Sequence, residues 1–294
     1  MPVDQSHCRV VFQKLDRELT KVAKRLDPAS VHKVRTYSRR VEALLGDLVP
    51  DPSRNDRKLL KLLTRLRKKA GRVRDLDVQM SNLRSLKIAS EAGQKSQLQR
   101  ALAQERGKQA KKLAQSLHKE KTRELRKRLK RAAGDLEIPE SAKPLSVTMR
   151  EFAQLGRTQG PLTEKTLHQY RIAGKRARYL AEFAGKDPDA QRVIEQLKRM
   201  QDVIGDWHDW LKLSERAEEL FGGVRNSALV AALRNLTRAK FRQSVDAVVE
   251  MRSSIAGKKP VSKEAGLGAA PIRQSKIDAA AYGRRFPLLS MSPS

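Results

Sequence analysis

VHKVRTYSRRVEALL, running from Val31 to Leu45, is met a second time in this chain as LHQYRIAGKRARYLAEF, from Leu167 to Phe183. Superposed at an offset of 136 residues, His32 meets His168, Arg35 meets Arg171, Arg39 meets Lys175 and Arg40 meets Arg176. Each copy reads His-x-x-Arg-x-x-x-(Arg/Lys)-Arg. On a helix turning about 100° per residue, His32, Arg35 and Arg39 share a stripe roughly 60° wide, with Arg40 on its flank. Val34, Tyr37, Val41, Leu44 and Leu45 fall on the other side. In the second copy Tyr170, Ala173, Ala177, Leu180 and Ala181 lie opposite His168, Arg171 and Lys175. The spacing predicts two helices, each with an apolar back and a front of stacked cationic donors. A merely solvated face would mix both signs.

A second pair of motifs extends the repeat. Gly71-Arg-Val-Arg-Asp75 and Gly205-Asp-Trp-His-Asp209 share Gly-x-x-x-Asp at an offset of 134 residues. The step from histidine to glycine is 39 residues in the first half and 37 in the second. Two motifs in the same order at nearly the same spacing point to a duplicated domain, because the period is too long for a solenoid.

Four segments, VHKVRTYSRR, GRVRDLDV, LHQYRIAGKRARY and QDVIGDWHD, carry a resemblance to the CHAD family, the conserved histidine α-helical domain. It spans about residues 5 to 255. The resemblance implies two four-helix bundles related by internal symmetry, with a basic surface that binds inorganic polyphosphate. His208 and Trp210 stand where the first half has Arg74 and Leu76, so the two halves need not contribute equally.

Composition bounds the alternatives. A chain of 294 residues can bury a sizeable core and suits two domain-sized halves. The net charge is +30, from 63 Lys and Arg against 33 Asp and Glu. Self-repulsion of that size calls for a polyanionic partner: nucleic acid, polyphosphate or an anionic membrane surface. The single cysteine, Cys8, excludes a disulfide framework and suits a reducing compartment. There is no apolar run long enough to span a membrane, and MPVDQSHCRV lacks the apolar core of a secretion signal. A cytoplasmic protein is expected.

Apolar periodicity predicts an all-α fold of two helical bundles side by side, and the resemblance implies that these are two antiparallel four-helix bundles related by internal duplication. Residues 1–140 are expected to form the first bundle, 141–256 the second, and 257–294 a disordered tail rich in Gly, Ala, Ser and Pro. Asp27 or Ser30 is expected to cap the first histidine helix, with Pro28 in its first turn. Gly71 is expected to loosen the third helix, and separate helices are expected over Arg192–Leu213 and from about Leu211 to Gly222. One long polar helix is predicted from about Ser96 to Ala133. Its end holds eight basic and two acidic residues between Lys119 and Arg131. It reads either as a solvated outer face or as an anion contact.

The chemistry points to binding. The five histidines, His7, His32, His118, His168 and His208, are nowhere within a helical turn of one another, and Arg and Lys on the same faces repel a cation. No metal or other cofactor is expected. Asp75, Asp77, Asp206 and Asp209 suit ion pairing with arginines better than holding Mg²⁺, since no Gly-rich phosphate loop accompanies them. Cys8 has no base on its own helix face, which leaves no nucleophile–base pair, and a non-enzymatic protein is expected. Arg and Lys suit phosphate oxygens, by a planar fork and a point charge respectively. Only 4% of residues are aromatic, too few to suggest the stacking platforms of a single-strand binder.

The expected ligand site therefore comprises His32, Arg35, Arg39, Arg40, His168, Arg171, Lys175 and Arg176 around a shared cleft, with Lys33, Arg178 and Lys198 as weaker members. Composition and spacing ask only for a polyanion. The resemblance supplies inorganic polyphosphate as that polyanion and polyphosphate granules as a destination. Non-specific nucleic-acid binding, or service as a regulatory subunit of a phosphate-metabolising enzyme, remain the alternatives.

Overall fold

A computed structural model describes residues 3–87, 92–156 and 160–255, and the expected tail 257–294 lies outside the described residues. Nine α-helices follow in order within them: α1 Gln5–Lys24, α2 Pro28–Ala43, α3 Arg54–Ser85, α4 Ala92–Ala114, α5 Lys119–Gly134, α6 Pro144–Gly156, α7 Glu164–Ala181, α8 Pro188–Phe221 and α9 Ala228–Ile255. No strand occurs among the described residues, so the expected all-α class holds.

The helix starts follow from local chemistry. The Asp27 carboxylate accepts from the Ser30 N–H at 2.9 Å and Pro28 opens α2, because proline has no N–H to leave unsatisfied there. The same Asp-Pro device recurs at Asp187 and Pro188 of α8. Ser53 and Asp56 form a reciprocal capping box at α3, and Thr163 caps α7. Beyond α2 the chain widens into a π-helical turn, Leu44–Leu48, which carries Asp47.

Three expectations about helix breaks are corrected. Gly71 does not interrupt α3, which runs on to Ser85. A single α8 covers both segments expected beyond Arg192. The long polar helix is two helices, α4 and α5, parted by a turn at 115–118 in which His118 caps α5. Leu113 and Leu117 are both buried there, and the bend turns them into the first core. Satisfying that core outweighs helix propensity, which alone would continue.

The buried side chains form three clusters. The first joins α1, α2, the π turn, the front of α3 and α5, and adds Tyr179, Leu180 and Phe183 from the far half. The second lies in the later half, with Phe152, Leu167, Tyr170, Met200, Trp207 and Val248 among its members. The third is shared: Leu76, Leu83, Leu98 and Leu102 of α3 and α4 meet Trp210, Leu213, Leu229 and Leu233 of α8 and α9. Each fully buried leucine is worth about 1.5–3 kcal/mol, so this shared cluster binds the early helices firmly to the late ones. All described residues belong to one compact unit. The apolar backs predicted for the two histidine helices are found inside: Val34, Val41, Leu44 and Leu45, then Tyr170, Ala177, Leu180 and Ala181.

Candidate anion-binding cleft

The two histidine helices pack against one another, as do α3 and α8 beneath them. Between the four helices lies a cleft of ≈ 580 Å³. From α2 it is lined by His32, Arg35, Thr36, Arg39 and Arg40, and from α7 by Arg171, Lys175, Arg178 and Tyr179. Arg74, Asp75 and Val78 of α3 and Lys198, Gln201, Asp202, Gly205, Asp206 and Asp209 of α8 complete it. The lining holds eight Lys and Arg side chains against four Asp.

Two glycines mark helix contacts behind this wall. At Gly174 an added Cβ would sit 2.7 Å from Met200 Cε, so a larger residue there would have to push aside the end of that flexible side chain where α7 meets α8. Gln201 exploits that contact: its Nε2 donates to the Gly174 carbonyl at 2.7 Å while its Oε1 accepts from Arg178 Nε at 3.0 Å. At Gly71 a Cβ would lie 3.4 Å from Arg35 Nε, an ordinary van der Waals separation, so the Arg35 guanidinium packs against α3 at this point. One turn later Asp75 stands 3.8 Å from Arg35. The first Gly-x-x-x-Asp motif thus sets an acid beside an arginine, whereas in the second the space around Gly205 is open and Asp209 stands 3.6 Å from His208 Nδ1. Asp77 holds Arg106 at 2.7 Å and Asp206 holds Lys240 at 2.8 Å, so these carboxylates also serve cations. No group of three or more metal-ligating side chains occurs among the described residues.

The cationic side chains divide into braced and unbraced. Arg40 donates to Glu182 at 2.6 Å, and Arg178 donates to the same carboxylate at 3.1 Å. Both guanidiniums also lie over the Tyr179 ring. By contrast, no carboxylate pairs with Arg39, Lys175 or Arg74 among the described residues. Arg171 is only 9% exposed, and its Nε is buried without a hydrogen-bond partner. Burial, then the Arg35 charge, brings Arg39 down to about 10. Burial also lowers Arg171, with Asp209 acting against the shift. Lys175 falls furthest, to about 6, through burial and then the charges of Arg171, Arg35 and Arg39. These groups have given up water, and the Asp209 charge offsets that loss only in part for Arg171 and Lys175. An anion would complete the balance.

Of the residues expected to form the site, the structure brings together His32, Arg35, Arg39, Arg40, Arg171, Lys175, Arg178 and Lys198. Three stand outside. Lys33 is exposed, turned about 100° away from His32 on α2. Arg176 is drawn to Asp47 on the π turn, with its Nε 2.9 Å from the carboxylate. His168 stacks on His208, with ring centroids 5.9 Å apart, beyond the end of the cleft. His32 has an exposed surface yet sits among cleft side chains. Burial, then Arg74 and Arg35, lowers its affinity for a proton. Arg74, Thr36 and Gln201 were missed by the motif reading. Arg74 was within reach of it, since it lies in GRVRD at the position matched by His208. The two halves are therefore unequal here: Arg74 enters the cleft and His208 turns to His168.

Two solved structures share this fold. The CHAD domain from the plant Ricinus communis superposes with a TM-score of 0.63 at 19% identity, covering 85% of this chain and 89% of that one. PptA from Streptomyces chartreusis gives a TM-score of 0.65 at 14% identity, covering 88% of this chain and 100% of that one. Comparison with curated proteins finds no match. The sequence pattern of the CHAD domain matches residues 8–218, which include both histidine helices and both Gly-x-x-x-Asp motifs. With most of its length matched and all four cleft helices inside that span or running out of it, this chain belongs to the CHAD domain family.

Proposed function

We propose that this protein binds inorganic polyphosphate without chemically altering it, holding the polymer in the cleft between α2 and α7. Membership of the CHAD family supports a general association with polyphosphate. The observation that carries the finer reading is the cluster of Arg39, Arg171 and Lys175, half-buried or buried and free of carboxylate partners. Such donors gain charge-assisted hydrogen bonds of about 1.5–3 kcal/mol each when phosphate oxygens arrive. Arg74 and Lys198 extend the row toward α3 and α8. A chain of phosphates has charge at every unit and no bases, which matches a wall of cations whose only Phe, Tyr or Trp side chain, Tyr179, is 5% exposed.

In this proposal residues 1–140 and 141–256 are the two copies of a duplicated four-helix bundle, and the cleft is the seam where their histidine helices face each other. A protein held this way on long polyphosphate would travel with it, so association with polyphosphate granules belongs to the same reading. Competition between labelled long-chain polyphosphate and DNA, RNA or triphosphate at physiological salt tests it. Displacement by DNA or RNA at equal phosphate concentration would replace polyphosphate by nucleic acid as the ligand. Turnover of the polymer during the assay would replace binding by catalysis.

A further inference from the structure

The cleft has two walls of opposite character. Every charged side chain that α2 and α7 bring to it is cationic, Arg39, Arg171 and Lys175 among them, whereas α8 brings Asp202, Asp206 and Asp209 beside a single lysine. On α8 these three carboxylates fall within a stripe roughly 60° wide. Asp202 is exposed and forms no ion pair among the described residues. Asp206 reaches Lys240 at 2.8 Å, and Asp209 stands 3.6 Å from His208 Nδ1. In the cationic wall Arg171 is only 9% exposed and its Nε has no hydrogen-bond partner, which calls for an anion in this cleft. An anion seated there faces the α8 acids, and a site partly shielded from water strengthens that repulsion. Among the acids Gly205 leaves a gap, with nothing within 4 Å of the place its Cβ would take.

We propose that the cleft takes polyphosphate together with a hard divalent cation such as Mg²⁺, which Asp202 and Asp206 hold against the phosphate oxygens. The inference rests on the reading of the cleft as a polyphosphate site. Mg²⁺ is commonly bound by one or two carboxylates, phosphate oxygens and several waters, and seldom by a cage of protein ligands alone. Asp202 and Asp206, one helical turn apart, supply that number of carboxylates. The open space beside Gly205 leaves room for the waters. The ion arrives with the polymer, which agrees with the finding that no group of three metal-ligating side chains occurs among the described residues. Asp206 is free to turn to the ion, because its pair with Lys240 is partly exposed and weakly held. The acid wall then becomes a second attachment, and the polymer is gripped from both sides.

The test is titration of the full chain with long-chain polyphosphate, first in EDTA and then in MgCl₂, with NaCl adjusted to hold ionic strength constant. The unaltered protein is compared with Asp202→Asn and with Asp202→Asn/Asp206→Asn. In EDTA the variants are expected to bind roughly threefold to tenfold more tightly, because a repulsive charge has gone. In Mg²⁺ the order is expected to reverse, with the unaltered chain binding several fold more tightly than either variant. Screening by Mg²⁺ alone would bring the affinities together without crossing, so a ratio that stops at one, or does not move, overturns the proposal. Asp202 has no ion pair to lose, so its single variant gives the answer even if the double variant folds poorly. If the unaltered chain binds polyphosphate in neither buffer, the reading of the cleft fails and this inference with it. If it binds but the order never reverses, only the cation site is lost and the binding function stands.

Discussion

Arg40 on α2 donates through Nε to Glu182, 2.6 Å away beyond the end of α7, and Arg176 on α7 reaches Asp47 beyond the end of α2. The arrangement is reciprocal: in each copy of the motif the last arginine crosses to an acid that follows the other copy. One of the repeated cationic positions therefore serves to lock the two histidine helices together. Only the residues before it on the stripe remain available to a ligand.

The brace should be measurable as coupling. Its two side chains are 21% and 12% exposed, so breaking it should cost about 2 kcal/mol, less than a fully buried pair. In a domain of this size that is a fall in Tm of roughly 4–8 °C. Arg40→Ala and Glu182→Ala should each show it, and the double variant should lose less than the sum. Additive losses in a thermal double-mutant cycle would mean the pair contributes nothing as a pair.

Site and surface charge should separate cleanly. Arg39→Glu with Lys175→Glu removes two cleft donors, while Lys127→Glu with Lys130→Glu places the same two acidic side chains on the exposed face of α5. The cleft pair should weaken polyphosphate binding on the order of a hundredfold, and the surface pair only a few fold. Equal losses in a titration at one salt concentration would show diffuse attraction without a site.

Salt dependence should report the same contacts. Binding a polyanion releases its counterions, so log K should fall linearly with log salt. The cleft variant should show a shallower slope, by about one for each donor lost. A flat line for the unaltered protein would remove the electrostatic basis of binding.

Lys175 makes opposite predictions for stability and affinity. Its amine falls from 10.5 in the open chain to about 6 in the fold, so between those values the unfolded chain holds the extra proton. Stability contributed by this position therefore rises with pH across that window, and the penalty is largest below about 6. Lys175→Met should raise Tm, most at low pH, and lower polyphosphate affinity. Bound phosphate should restore the ammonium, so binding takes up a proton. Affinity should decline above pH 6 by up to tenfold per pH unit, with His32 acting in the same sense. Affinity independent of pH, or a Tm lowered by the methionine, would contradict the assigned environment.

The shared core predicts that the halves do not fold independently. Trp210 and Leu83 both belong to the cluster contributed by α3, α4, α8 and α9. Trp210→Ala or Leu83→Ala should cost about 3–5 kcal/mol. Fragments 1–140 and 141–255 should each lose cooperative unfolding by calorimetry. Two fragments that each melt sharply near the temperature of the intact chain would show that the shared cluster contributes little.

The sequence by itself determined the helical class, the apolar backs of α2 and α7, the Asp27 cap of α2, and the stripe from which most cleft donors come. These are local properties: helical period and capping chemistry act within a few residues, so spacing along the chain carries them. Tertiary structure alone decided which cations face the cleft and which are spent elsewhere. Arg176 lies one residue from Lys175, yet Asp47, 129 positions away in the chain, turns it outward. His168 matches His32 in every local respect, but His208 occupies its face where Arg74 fills the equivalent place. α3 also runs unbroken through Gly71, where the Arg35 side chain of α2 lies against it. The depressed charge of Lys175 likewise comes from guanidiniums on two helices meeting away from water, a proximity that no single stretch of sequence contains.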